Sequence, residues 1–245
     1  MSVGVDVDLG SAVMSYRPAA GEERSLPAQR VSAAALFECV PWRTFRWYFG
    51  QRHYSGTWWS STMCDHVIYE SRLELSRLLL ADFDPCVRQM IAQPFMVTAT
   101  VDGQPRRHIL DYLWATIDGP VVVDVVRAER LNHPGVALLC QWTRDVVESL
   151  AWGYQVLSEP PPTRLESVRF LAGYRRNWLI HPEILEEMRS RTTDLVGMSI
   201  ADAEREFAYP SSLVRPALMH LLWCHELEVD LDRPLRPSRI LEAPR

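Results

Sequence analysis

Two aspartates interrupt segments that are otherwise apolar enough to form buried β-strands. Asp111 stands in Ile109-Leu110-Asp111-Tyr112, and Asp124 follows three valines in the segment 121–126. A carboxylate in a buried strand is costly unless a cation, a proton or hydrogen-bond donors compensate its charge. The turn signal Asp118-Gly119-Pro120 between the segments predicts that they pair as neighbouring strands. The chain is therefore expected to fold around two acids that lie close together in a sheet.

A third acid, Glu74, comes at the start of a helix predicted over 71–82. The pattern Ser71-x-x-Glu74 also fits a capping box, in which the glutamate returns to the backbone at the helix start. One carboxylate from a helix and two from neighbouring strands can converge on Mg²⁺, which binds hard oxygen ligands. Both interpretations of Glu74 remain open from the residues alone.

Strand and helix signals alternate along the first 178 residues. Residues 1–60 are β-rich, and a hairpin is predicted near 53–68. The further predictions are extended segments over 87–100, a hairpin turn at Asp102-Gly103, strands over 107–116 and 121–126, a helix over 134–152, a strand over 154–157 and a helix over 164–176. This alternation predicts an α/β fold with a mixed sheet flanked by helices.

The last part of the chain has a different character. Short helices are predicted over 182–191, 199–206 and 212–224, and a small two-stranded wing over 228–235. Three helices and a wing predict a winged-helix-like domain over 179–245. The helix 212–224 is largely apolar and carries a single arginine, which favours docking to a protein over reading DNA bases.

The basic residues of the chain are all arginine. The 245 residues contain 26 basic and 31 acidic residues, with a net charge of −5, which argues against a protein that coats DNA by itself. Five cysteines without a CxxC pair exclude a zinc ribbon, argue against a disulfide framework and predict a cytoplasmic location. No apolar run has the length of a bilayer span and the start lacks signal-peptide features, so no membrane association is predicted.

Arginines occur in two places where they could meet nucleic acid. Residues 42–59 interleave arginines with aromatic residues, which predicts either a DNA-facing surface or a packed hairpin with solvated arginines. Arg106 and Arg107 precede Asp111, where they predict either a phosphate contact or a polar strand start. His108 would face away from Asp111 in an unbent strand, so it is predicted to be structural or exposed.

The order of these motifs resembles the TnsA-like endonuclease subunit of heteromeric transposases. The resemblance rests on Ser71-Arg72-Leu73-Glu74, Gln93-Pro94 and Leu110-Asp111-Tyr112, and covers roughly residues 30–175. The C-terminal run 213–223 is similar to the winged-helix tail of that family. The resemblance implies a restriction-endonuclease-like core of the PD-(D/E)xK superfamily over about 61–178, within a nuclease domain 1–178, followed by the winged-helix-like domain 179–245.

The resemblance also implies an activity and partners. It implies Mg²⁺-dependent cutting of one DNA strand at transposon ends, with Mn²⁺ as a substitute for Mg²⁺. The implied partners are double-stranded DNA, a DDE-type transposase that cuts the other strand, and an AAA+ ATPase regulator. Carried over by position, Glu74, Asp111 and Asp124 are the metal-binding and catalytic acids.

The position of the family's lysine holds Val126. Arg127 follows it and would reach the acids if a β-bulge turned the strand. An arginine there could stabilise charge on a phosphate but could not act as a base, because it keeps its proton. Val126 thus favours an alternative: a degenerate nuclease fold that serves as a non-catalytic DNA-binding or assembly subunit. The intact acids favour the enzyme. A third hypothesis is a stand-alone defence nuclease.

Overall fold

The computed structural model describes residues 5–43 and 54–244. Contacts divide the chain into two units, one formed by Met1–Leu78 with Cys86–Glu159 and the other by Leu79–Pro85 with Pro160–Arg245. Most of the aromatic and arginine-rich stretch 42–59 lies outside the described residues. The two alternatives predicted for it, a DNA-facing surface and a packed hairpin, therefore both stay predictions. The predicted boundary between a nuclease domain 1–178 and a winged-helix-like domain 179–245 stays a prediction.

The first unit is built from strands with few helices. Its strands are β1 Val7–Tyr16, β2 Arg24–Pro27, β3 Gly56–Ser60, β4 Asp65–Tyr69, β5 Val87–Ala92, β6 Met96–Val101, β7 Gln104–Ile109, β8 Tyr112–Thr116, β9 Gly119–Val125 and β10 Gly153–Leu157. Its helices are α1 Ala33–Phe37, α2 Arg72–Phe83 and α3 Pro134–Glu148.

The strands form two larger sheets and a hairpin. The first sheet has the order β2-β1-β6-β7 and is antiparallel throughout. The second has the order β10-β9-β8-β5, in which β10 runs parallel to β9 and the other pairs are antiparallel. Strands β3 and β4 form the predicted hairpin. The prediction of an α/β fold with mixed sheets flanked by helices is confirmed.

Helix α3 connects β9 to its parallel neighbour β10 and covers the core. Pro134 occupies its first turn, where a missing backbone N–H costs nothing. Trp142, Val146 and Val147 recur at helical spacing and are buried. They belong to one apolar cluster with Met14 of the first sheet and other residues of both sheets. This shared core brings together the residues that surround Asp124.

The strand predicted over 107–116 is two strands in different sheets. Strand β7 pairs with β6 up to Ile109, and β8 pairs with β9 from Tyr112 onward. Asp111 lies between them, and its carbonyl oxygen accepts a hydrogen bond from the Gln93 amide at 2.8 Å. Asp111 therefore stands where the chain changes sheets and not inside a strand. The sequence pattern does not mark this change, because both strands are extended and only Leu110 and Asp111 separate them.

The second unit is helical. Its helices are α4 Pro162–Leu171, α5 Pro182–Ser190, α6 Thr192–Leu195, α7 Ile200–Arg205 and α8 Ser211–Trp223. The helices predicted over 182–191, 199–206 and 212–224 are present as α5, α7 and α8. None of the helices in the described ranges combines the length and apolar character needed to cross a membrane.

The strand pairing after α8 differs from the predicted wing. Isolated antiparallel bridges join Glu228 to Glu242 and Ser199 to Ile240. Residues 229–239 form no strand in the described chain. The carboxylate of Asp230 accepts a hydrogen bond from the Asp232 amide at 3.0 Å, which makes a local turn where the sequence favoured a strand. The prediction of a two-stranded pairing within 228–235 is therefore wrong, and the bridge partner of Glu228 lies further along the chain.

Candidate functional site

Asp111 is the centre of an acidic group. The last register pair of the β8–β9 hairpin is Tyr112 with Val123, so Asp111 and Asp124 follow at adjoining positions. The Val125 amide donates a hydrogen bond of 2.7 Å to Asp111 Oδ2, which fixes the carboxylate against β9. Burial raises the pKa of Asp111 well above its ordinary value, and the negative charges of Asp124 and Glu74 raise it further. The carboxylates of Asp124 and Glu74 thus both act electrostatically on Asp111.

Asp124 is almost fully buried, with 2% of its surface exposed. The Tyr154 hydroxyl donates a hydrogen bond of 2.6 Å to its Oδ2, and His108 Nε2 lies 2.9 Å from both carboxylate oxygens. An ionised carboxylate can only accept, so this contact requires a proton on His108 Nε2. Burial and the charge of Asp124 raise the pKa of Tyr154, which keeps its hydroxyl a donor.

The partners of Asp124 come from different sheets. Val156 of β10 is the register partner of Asp124, and Tyr154 shares its face two residues earlier. His108 lies on β7, the last strand of the first sheet, with its ring edge-on to Trp142. His108 was expected to be structural or exposed. Its contact with Asp124 gives it a structural role at the acidic site, where it holds one of the carboxylates.

Glu74 forms a capping arrangement at the start of α2. Its Oε2 accepts from the Glu70 amide at 2.7 Å, and its Oε1 accepts from the Ser71 hydroxyl at 2.8 Å. Ser71 Oγ in turn accepts from the Glu74 amide at 3.1 Å. Burial raises the pKa of Glu74, while these hydrogen bonds lower it. Glu74 therefore caps the helix and contributes negative charge to the site at the same time.

Gln93 ties the acids to the neighbouring backbone and was not predicted as a site residue. Its Nε2 donates to Glu70 Oε1 at 2.5 Å, and its Oε1 accepts from the Arg43 amide at 3.0 Å. Its own amide donates to Asp111. The backbone of Gln93 has a φ of 48°, in the left-handed region that a glutamine seldom adopts. The sequence signal was the Gln93-Pro94 pair itself, which marks a break between two extended segments.

Arg127 lies apart from the acids' hydrogen bonds. It follows the end of β9, its side chain is 67% exposed, and its guanidinium is 4.0 Å from Glu129. The register between β9 and β10 runs without a shift from Val121 to Val125, and the Val126 amide then bonds to the Leu157 carbonyl. This stretch therefore contains no bulge of the kind that would turn Arg127 toward Asp124.

The donor chemistry of the acids fits a divalent cation, although their present arrangement is not a ligand set. Among the described residues, no three His, Cys, Asp or Glu side chains are placed to hold one metal ion. Glu74 and Asp124 direct oxygens to protein donors, while Asp111 Oδ1 has no hydrogen-bond partner within the described chain. Each carboxylate oxygen has two acceptor positions, so the bonded oxygens retain capacity for a ligand.

Comparisons with known proteins assign no family to this site. No protein-family model matches the chain, and no curated protein matches its sequence. The chemistry of the acids and their surroundings is therefore the basis for assigning a function.

Proposed function

We propose that the chain is a Mg²⁺-dependent DNA endonuclease subunit of a heteromeric transposase, hydrolysing one strand at transposon ends. The observation that carries the proposal is the placement of Asp111 and Asp124 at adjoining positions at the end of the β8–β9 pairing, where the charges of Asp124 and Glu74 add to burial in raising the pKa of Asp111. A protein without use for a cation has little reason to keep repelling acids together. The order of a helix acid, an acid just before β8 and an acid on β9 supports a restriction-endonuclease-like core.

In this proposal Asp111, Glu74 and Asp124 would hold the cation. Mg²⁺ would supply positive charge for the scissile phosphate and would acidify the attacking water. The Val125 amide orients Asp111, while Tyr154 and His108 orient Asp124. Arg127 is exposed, so it can meet a phosphate of the bound DNA but cannot accept a proton.

The second unit belongs to the proposal as a docking module. Helices α5, α7 and α8, with the bridges from Ser199 to Ile240 and from Glu228 to Glu242, support a winged-helix-like arrangement. Helix α8 is buried along most of its length, so its apolar residues belong to the core of the unit and do not read DNA bases; docking to a protein is proposed for the exposed surface of the unit. The proposed partners are double-stranded DNA, a DDE-type transposase and an AAA+ ATPase regulator, in the cytoplasm.

A specific observation favours a second candidate function. Both oxygens of Asp124 already have protein partners, both oxygens of Glu74 are used in the cap, and Val126 stands at the position of the family's lysine. A subunit that had lost cleavage but kept its fold would look the same. This candidate is a non-catalytic DNA-binding or assembly subunit.

Calorimetric titration with Mn²⁺ and Mg²⁺ separates the two candidates. The nuclease proposal expects binding by the wild type that is weakened at least about tenfold in Asp111→Asn. Asp118→Asn is the matched control, because Asp118 is an exposed acid in the β8–β9 turn of the same hairpin. Absence of binding by the wild type, even with a DNA duplex present, would leave the non-catalytic subunit as the function.

A further inference from the structure

The outer face of the first sheet carries a cavity of about 430 Å³ that is separate from the acids. Its polar lining consists of Ser11, Thr98, Thr100, Arg106 and Arg107. No carboxylate is among the lining residues of this cavity, although the chain as a whole is acidic. The cavity therefore combines positive charge with hydroxyl groups, which is the chemistry that binds phosphate oxygens.

The register of the sheet places Thr98, Thr100 and Arg107 on one face, whereas Arg106 is the register partner of the buried Ala99 and lines the cavity from the free edge of β7. Thr98 and Thr100 alternate along β6 with the buried residues Val97, Ala99 and Val101, so both threonines point outward. Thr98 is the register partner of Arg107 on β7, and partners across an antiparallel pair share a face. Strand β7 ends the sheet, so its exposed side chains are open to a partner on the free side.

Ser11 closes the cavity on the side of β1. The register between β1 and β6 shifts between Asp8 and Val13, and Ser11 lies in this irregular stretch. Its hydroxyl accepts from the Thr100 amide at 2.8 Å and donates to the Asp8 carbonyl at 2.7 Å. Ser11 thus fixes the shape of the cavity wall, and the arginines supply the charge.

The two arginines of the cavity differ from others in the first unit. Arg17, Arg43 and Arg144 each lie within 4.0 Å of a carboxylate. None of the ion pairs formed among the described residues includes Arg106 or Arg107, and both side chains are exposed. Their charge is therefore available to an external anion.

We propose that this cavity binds the phosphate backbone of double-stranded DNA beside the acidic site. Arg107 precedes Asp111 by four residues, a span of at most about 14 Å of extended chain. That span covers at most about four base pairs, at about 3.4 Å of rise each. The proposal rests on the proposed function for its choice of DNA, but the binding itself needs no cation.

Two nearby acids set the limit of this surface. Asp8 is the register partner of Thr100, and its Oδ1 accepts from the Gly10 amide at 3.0 Å. Asp102 lies in the turn between β6 and β7, and its Oδ1 accepts from the Asp6 amide. Their negative charge repels a phosphate at the turn end of β7. The bound strand is accordingly placed toward Arg107 and the end of β7 that leads to Asp111.

Fluorescence anisotropy with a labelled DNA duplex in EDTA, across a series of KCl concentrations, tests the proposal. We expect the double variant Arg106→Ala/Arg107→Ala to bind DNA duplexes of unrelated sequence more weakly than the wild type does. The slope of the logarithm of the binding constant against the logarithm of the salt concentration should fall in magnitude by about 2, or about 1 per phosphate contact. The lysine pair Arg106→Lys/Arg107→Lys keeps the charge and should retain most of the slope.

Arg24→Ala is the matched control, because Arg24 is an exposed arginine on β2 at the opposite edge of the same sheet. It should leave the salt slope unchanged. The proposal is overturned if the double alanine variant keeps the wild-type slope, if Arg24→Ala loses as much, or if the wild type does not bind the duplex. Since no divalent cation is present, these outcomes are independent of metal binding and cleavage, which Asp111→Asn tests separately.

Discussion

At the scale of single residues, the acid at the sheet crossover opposes folding when it is ionised. Burial and the charges of Asp124 and Glu74 raise the pKa of Asp111. Replacement of Asp111 by asparagine keeps an acceptor for the Val125 amide and removes the charge. We therefore expect Asp111→Asn to raise the midpoint of thermal unfolding at neutral pH, by about 2–4 °C for each kcal/mol gained in a chain of this size.

The gain of Asp111→Asn should depend on pH in a defined direction. A carboxyl group whose pKa is raised by folding contributes stability below its ordinary pKa, and this contribution is lost as pH rises through the folded value. The difference between variant and wild type should thus be small in acid and grow toward neutral pH. Asp118→Asn, in the exposed turn, should show no such growth. A difference that is constant with pH would contradict the placement of Asp111 among like charges.

Tyr154 and Tyr112 offer a matched test of the Asp124 contacts. Both side chains are buried, but the Tyr154 hydroxyl donates to a carboxylate at 2.6 Å, whereas the Tyr112 hydroxyl donates to the Ile68 carbonyl at 3.2 Å. A hydrogen bond to a charged group is worth about 1.5–3 kcal/mol and one to a neutral group about 0.5–1.5 kcal/mol. Tyr154→Phe should cost more free energy of unfolding than Tyr112→Phe in urea titrations. An equal or smaller cost would mean that Asp124 does not depend on Tyr154.

The sequence predicted the acids better than their partners. Asp111 and Asp124 could be placed together because apolar strands and a turn signal flank them. His108 could not be assigned, since strand parity was applied to a continuous strand 107–116 that is in fact divided between two sheets. Tyr154 gave no local signal, because its contact with Asp124 depends on the parallel pairing of β9 and β10.

At the scale of elements, the start of α2 combines two tasks in one residue. Ser71 caps the helix, and Glu74 returns to the Ser71 hydroxyl and the Glu70 amide. Loss of an N-cap hydroxyl costs about 1 kcal/mol, so Ser71→Ala should lower the free energy of unfolding by about that amount. Glu74→Gln keeps a capping side chain and removes a charge, so we expect its cost to be below about 1 kcal/mol.

These two variants separate the cap from the acid. Unfolding in guanidinium measures the contribution of the cap to stability, and titration with Mn²⁺ measures the contribution of the acid to metal binding. The nuclease proposal expects Ser71→Ala to bind the cation and Glu74→Gln to lose affinity. Glu74 would be a capping residue alone if Glu74→Gln bound Mn²⁺ as well as the wild type.

The wing shows where element prediction failed for a physical reason. The alternation in Glu228-Val229-Asp230-Leu231 is typical of a strand, but the Asp230 side chain bonds to the Asp232 amide and bends the chain. Asp side chains compete with strand pairing in this way. Glu228 then pairs with Glu242, a partner too distant in sequence for local patterns to identify.

At the scale of the whole molecule, α2 begins in one unit and ends in the other. Phe83, near its end, is buried against Trp223 and His225, with ring centroids 5.2 and 4.4 Å away. The Phe83 carbonyl also lies 2.6 Å from His225 Nε2. The segment Leu79–Pro85 therefore supplies part of the core of the second unit, although it is far from the rest of that unit in sequence.

Phe83→Ala should destabilise the second unit by about 3–5 kcal/mol, because it leaves a cavity against Trp223. Hydrogen exchange of the α8 amides would report this loss as faster exchange. Phe170→Ala is the control in the same unit, since Phe170 is 48% exposed and should cost far less. Equal exchange of α8 in the two variants would contradict a structural role for Phe83.

The division of the second unit between two stretches of sequence constrains how this protein can be recombined. A single crossover or truncation at residue 160 would carry away Pro160–Arg245 without the segment Leu79–Pro85. The transferred piece would expose the surfaces of Trp223 and His225 that Phe83 covers. The helical unit therefore cannot be exchanged between proteins at a single junction. An exchange that keeps its core intact must also carry helix α2, which bears Glu74.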